Sequence, residues 1–77
     1  MNMDTAFDSL YYATNKDKIS IDTKNHNIRF NAKDIDLIDQ EDDNTLFISL
    51  LDNKLFLVDV NSIETITIAE NTGGEMQ

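Results

Sequence analysis

The stretch Leu46-Phe47-Ile48-Ser49-Leu50-Leu51-Asp52-Asn53-Lys54-Leu55-Phe56-Leu57-Val58-Asp59-Val60 decides the fold. Two apolar runs, 46–51 and 55–60, flank the polar triplet Asp52-Asn53-Lys54. Runs of this length, bounded by turn residues, read as the two strands of a β-hairpin. Leu46, Ile48 and Leu50 share one face of the first strand; Phe47 and Leu51 lie on the other. In the second strand Phe56, Val58 and Val60 share a face, with Leu55 and Leu57 opposite. A sheet with one wet face alternates apolar and polar side chains, and this hairpin does not. Its second face therefore asks for cover. Two covers are available: an N-terminal helix presenting Phe7, Leu10 and Tyr11, or a second copy of the chain. In the second case Phe47, Leu51, Phe56 and Val58 are the candidate oligomer contacts. The sequence leaves open which face lies inside.

Outward from the hairpin the pattern stays β. On its C-terminal side Ile66 and Ile68 alternate with Thr65 and Thr67. On its N-terminal side Asp39–Asn44 reads as a polar loop, preceded by Ile35, Leu37 and Ile38. Further back, Ile28, Phe30 and Ala32 alternate with polar residues, as do Ile19 and Ile21. Thr23–Asn27 supplies the turn between them, with Asn at positions that tolerate a left-handed backbone. Residues 4–13 carry Phe7, Leu10 and Tyr11 at helical spacing, extended backwards by Met3. Asn2 or Asp4 can cap such a helix. A strand over Leu10–Thr14 is the rival reading, since paired Tyr favours sheet; the helix is preferred. The expected layout is a single domain over 1–77: helix at about 4–13, sheet over about 18–69, frayed tail over 70–77.

A weak internal repeat runs at an offset of 28. Phe30-Asn31-Ala32-Lys33-Asp34-Ile35-Asp36-Leu37-Ile38 aligns with Val58-Asp59-Val60-Asn61-Ser62-Ile63-Glu64-Thr65-Ile66. Both segments end a strand, cross a polar pair and place Ile at the same two positions. Either two hairpins resemble each other by chance, or one unit (hairpin, short turn, next strand) is used twice. Two copies are too few for a solenoid. They suit a mainly β, α+β fold: a small antiparallel β-barrel or bent sheet of five to six strands.

Composition narrows the function. The 77 residues hold 6 Lys+Arg against 15 Asp+Glu, a formal charge of −9, with no Cys. A chain this short buries only about 60% of its unfolded surface. Without disulfides or an evident zinc site, pairing with itself or a partner is a natural source of stability. No stretch reaches the roughly 18–20 apolar residues of a membrane span. Met1–Leu10 lacks the basic start of a secretory signal, so a cytoplasmic protein is expected. The charge is uneven. Residues 1–33 are net +1 and residues 34–77 net −10. Such an excess repels nucleic acid and anionic lipid, so the expected partner is a basic protein.

The densest acidic run places Asp34, Asp36, Asp39, Glu41, Asp42 and Asp43 within ten residues. In extended chain Asp34 and Asp36 point the same way about 7 Å apart. Negative charge spaced on a rigid scaffold imitates a nucleic-acid backbone; the plainer reading is a solvated loop. Asp39, Glu41 and Asp43 match the first calcium positions of an EF-hand, but Asn44 and Leu50 stand where Gly and Glu are needed. No metal or other cofactor is therefore expected. His26 lies in a turn, no Ser has a His nearby, and both glycines are in the tail, so no catalytic set is assembled. Lys16, Lys18, Lys24, Arg29 and Lys33 form at most a small basic patch on the first hairpin.

The segment from Asp52 to Ile66 resembles the hairpin and short turn of small SH3-like or Sm-like barrels. The Gly of Sm-type strands is absent, and Sm-style RNA binding is not implied. In size and charge the chain is similar to the acidic inhibitors that phages and mobile elements direct against host defences, including DNA-mimic anti-CRISPR and anti-restriction proteins. That resemblance implies a non-enzymatic inhibitor whose acidic run occupies the nucleic-acid groove of a host defence enzyme. The competing expectation is a small homo-oligomeric β-barrel, possible already as a homodimer, that acts as an adaptor or a sponge for a signalling ligand.

Overall fold

The computed structural model describes residues 1–70. One helix, α1 (Met3–Tyr11), precedes six strands: β1 (Asp17–Thr23), β2 (Asn27–Asn31), β3 (Ile35–Gln40), β4 (Thr45–Leu50), β5 (Leu55–Asp59) and β6 (Ile63–Glu70). Two short 3-10 turns, Ala32–Asp34 and Val60–Ser62, join β2 to β3 and β5 to β6. The fold is mainly β, as expected. Its strands form two three-stranded antiparallel sheets, ordered β2-β1-β6 and β3-β4-β5, and not one bent sheet. No closed barrel is found among the described residues.

The helix starts where Asn2 accepts the Thr5 N–H at 2.8 Å. It ends two residues earlier than expected, ahead of a turn in which Asp17 accepts the Thr14 N–H at 2.7 Å. Ala6 and Leu10, four apart, are buried on its inner side, and the helix packs against β6. The expected fray begins at Glu70, which closes β6; residues 71–77 lie outside the described residues.

The offset of 28 is visible in the architecture. It carries β2 onto β5, the first 3-10 turn onto the second, and the start of β3 onto that of β6. Each unit is hairpin, turn, strand, and each lends its third strand to the other's hairpin: β3 pairs with β4, and β6 with β1. The hairpin loops differ by one residue, 24–26 against 51–54. First strands therefore align at an offset of 27, with Ile19 and Ile21 matching Leu46 and Ile48; all four are fully buried.

Local chemistry explains both the likeness and the one-residue difference. The Thr23 hydroxyl accepts the His26 N–H at 2.9 Å and closes the shorter turn without a left-handed residue. The longer turn uses Asn53 at φ 71°, the only non-glycine with positive φ among the described residues. After each 3-10 turn comes a bulge. The ladder shifts between Ile35 and Leu37, and again opposite Asp22 and Thr23 as β6 passes from Ile63 to Thr65. Asp36 and Glu64, exposed and 28 apart, are the extra residues. The bulge lets Ile35 and Ile38, and likewise Ile63 and Ile66, turn toward the core although they are three apart.

The inner faces of both sheets share one core with the helix. Ile19, Ile21 and Phe30 come from one sheet, Leu46, Ile48, Leu50 and Val58 from the other, with Val60, Ile63, Ala6 and Leu10 around them. Phe30 and Phe56 stack across the seam between β2 and β5, their centroids 5.9 Å apart.

Candidate protein-binding surface

The register fixes the outer face of β3-β4-β5 row by row. Leu37, Ser49 and Leu55 form one row; Asp39, Phe47 and Leu57 the next; Thr45 and Asp59 a third. Leu37, Leu55 and Leu57 are 50%, 52% and 58% exposed, and Phe47 is half-buried between them. The equivalent rows of β2-β1-β6 read Thr65, Asp22, Asn27, then Thr67, Ser20, Arg29, then Ala69, Lys18, Asn31. One outer face is apolar and the other polar on the same backbone plan.

The helix is not the expected cover. It packs against β6, and its end, with Leu10, Tyr11 and Ala13, lines a depression with Ile35–Ile38. Tyr11 stacks on Phe7 at 5.9 Å and stays largely exposed. The helix closes an edge of the core and leaves the outer face of the central hairpin open.

The structure also resolves which hairpin face is inside. Pairing of Leu46 with Val58 and Ile48 with Phe56 turns Phe56 and Val58 inward. Val58 is 4% exposed and Phe56 is half-buried, so neither belongs to the open face. Phe47 lies on that face, and Leu51 is exposed in the adjoining turn. Leu37, Leu55 and Leu57 complete the surface. The clue was the polar character of Ser20, Asn27, Arg29 and Thr65 at the equivalent positions of the other sheet.

The six acids of the run do not form one row. Asp34 sits in the first 3-10 turn, half-buried; its carbonyl accepts the Leu51 N–H at 2.8 Å. Asp36 is at the bulge, and Asp39 stands beside Phe47 on the open face. Glu41, Asp42 and Asp43 occupy the β3–β4 turn at the far end of the strand, roughly 20 Å from Asp34 at about 3.3 Å per residue. There they meet Asp59, which the sequence reading did not single out. Asp42, Asp43 and Asp59 line a shallow depression of about 490 Å3 together with Asn44, Thr45 and Asn61.

This turn is built, not loose. Asn44 donates its N–H to Asp42 at 2.9 Å, accepts the Val60 N–H at 2.8 Å, and accepts the Asn61 amide at 3.3 Å. The Asn44 N–H, joined by the Thr45 hydroxyl and N–H, holds the Asp42 carboxyl below its ordinary value. No group of three possible ligands that would hold a metal ion occurs among the described residues. His26 is exposed in its turn. Lys16, Lys18, Lys24, Arg29 and Lys33 are exposed around the first hairpin, and Lys18 and Arg29 border a shallow depression with Ser20 and Thr67. The only ion pair among the described residues is Lys54–Asp52 at 3.7 Å, both side chains exposed.

The open face thus grades from leucines at one end to carboxylates at the other. Among the described residues no helix is long and apolar enough to cross a membrane. The chain matches no protein-family model, no curated protein and no solved structure.

Proposed function

We propose that this chain is a non-enzymatic binding protein that docks the outer face of β3-β4-β5, with its acidic end, on a basic protein surface. The observation that carries the reading is the contrast between equivalent faces. Leu37, Phe47, Leu55 and Leu57 stand where the other sheet has Thr65, Ser20, Asn27 and Arg29. The fold itself does not call for apolar residues there, since the twin sheet does without them. Covering the face would contribute roughly 1 kcal/mol for each half-exposed leucine. Asp39, Asp42, Asp43 and Asp59 would meet Lys or Arg, supplying attraction and orientation.

The finer reading is an inhibitor, encoded by a phage or mobile element and acting in the host cytosol. It would block the nucleic-acid groove of a defence enzyme as a DNA mimic. A charge of −9 on a small rigid scaffold supports it. In the same spirit we read the paired sheets as an SH3-like small barrel opened along two seams. The acids cluster at one end of β3, so the charge-bearing part of the run is Asp39 to Asp43 with Asp59, more than Asp34.

Self-association is the second reading, favoured by the same exposed leucines. Two copies would bring two clusters of acid together, so added salt should strengthen a homo-oligomer and weaken a complex with a basic partner. Binding of candidate basic nucleic-acid enzymes, measured across a salt series with DNA as competitor, tests the proposal. Loss of binding in high salt, with DNA and in an Asp39, Asp42, Asp43, Asp59 to Asn variant is expected. Unchanged affinity in that folded variant would sink it.

A further inference from the structure

Four strand edges bound the two sheets: β2, β3, β5 and β6. Exposed edges invite pairing with another chain unless something blunts them. β3 and β6 each carry a bulge and lie beside the helix. β2 presents the polar side chains of Asn27, Arg29 and Asn31. β5 has none of these devices: it is regular over Leu55–Asp59, and its outward side chains begin with two exposed leucines.

The free backbone groups of β5 can be assigned. The Leu50 N–H donates to the Lys54 carbonyl and the Val60 N–H to the Asn44 carbonyl, both at 2.8 Å. In an antiparallel ladder hydrogen-bonded pairs alternate, so Phe56 and Val58 also face β4. The N–H and C=O groups of Leu55 and Leu57, and the N–H of Asp59, therefore point to the open edge. That edge borders a groove of about 300 Å3 between β5 and β2, lined by Leu57, Val58, Asp59, Asn27 and Ile28 among others. Phe30 and Phe56 close the seam nearby.

We infer that the β5 edge is a strand-addition site, and that the basic partner docks there through an extended segment. This deepens the docking function proposed above and rests on it. The segment hydrogen-bonds along Leu55–Asp59. Its alternate apolar side chains extend the leucine face on one side and lie over Ile28 on the other. A Lys or Arg at the end that reaches Asp59 is placed beside Asp42 and Asp43 as well. A second copy of this chain fits poorly, because its own −9 charge would come with it.

The test uses the full chain and a displayed library of random twelve-residue peptides. The expected winners alternate apolar residues at a period of two and carry Lys or Arg at one end. Leu57→Pro removes an edge-facing N–H that β4 does not use, and proline is tolerated on edge strands. It should weaken winning peptides about tenfold or more, whereas Arg29→Pro, the equivalent change on β2, should not. Should Leu57→Pro fail to fold, N-methylation of Leu57 in synthetic protein gives the same reading. Winners with helical spacing, no winners, or indifference to the Leu57 change each overturn the inference. If Phe47→Ser on the central strand abolishes binding while Leu57→Pro leaves it intact, the docking face survives and strand addition falls. If neither matters, both fall.

Discussion

The two sheets are near copies in backbone and opposites in surface. Inside, most positions of one unit find an apolar counterpart in the other: Ile19 and Ile21 with Leu46 and Ile48, Phe30 with Val58, Ile35 with Ile63; the exceptions, Leu50 against Thr23 and Ile68 against Gln40, lie at strand ends. Outside, the correspondence breaks down. Asp22 is held by the Asn27 amide and by the Thr65 hydroxyl at 3.1 Å, a satisfied polar row, while its counterpart Ser49 lies between Leu37 and Leu55. Packing constrains the inner face of both sheets. The outer face is freer to differ, and that is where a binding surface can be written at little cost to the fold.

The sharpest way to break the comparison is in the core. Ile21→Ala and Ile48→Ala occupy equivalent buried sites and should each cost about 2–5 kcal/mol, a large share of a small domain's stability. Chemical denaturation should show the two losses to be alike; a much smaller loss in one would mean that the units do not bear equally on a single core. Next comes the loop that distinguishes them. Asn53 is left-handed, so Asn53→Ala should destabilise by roughly 1 kcal/mol, while Asn53→Gly is close to neutral. The matching Asn25→Ala, in the turn closed by Thr23, should have little effect.

Smaller still is the stability change from making the faces alike. Replacing Leu37, Phe47, Leu55 and Leu57 by Thr, Ser, Asn and Arg, the residues of the other sheet, should shift stability by less than about 1 kcal/mol. Its effect should fall on binding. The smallest expected effect is a pH dependence at the acidic turn. The folded carboxyl of Asp42 lies below its unfolded value, so its contribution is complete above the unfolded value and is lost as pH falls through the folded one. Melting temperatures of the wild type and Asp42→Asn should therefore converge on acidification. The exposed position keeps the difference slight.

Much of this was legible in the sequence. Alternation at Ile19–Ile21 and Ile28–Ala32, and the two apolar runs flanking Asp52-Asn53-Lys54, gave the strands, and the offset of 28 marked the repeated unit. The single-residue difference between hairpin loops was not legible, because a turn's length is set by how it closes: by a threonine hydroxyl in one, by a left-handed asparagine in the other. The bulges at Asp36 and Glu64 hid why isoleucines three apart both face inward. Among candidate surface residues, Phe47 and Leu51 were placed outside, while Phe56 and Val58 went to the core side. Leu55 and Leu57 could not be assigned while the buried face was unknown. Asp59 was missed because its neighbours Asp42 and Asp43 are close in space and distant in sequence.

The most direct test of the account compares the wild type with the four-residue face variant, at matched melting temperature, for retention of a basic nucleic-acid-binding protein. The wild type should retain it at low salt and release it to high salt or competing DNA, and the variant should not retain it. Equal retention by both proteins would contradict the claim that the outer face of β3-β4-β5 is the working surface.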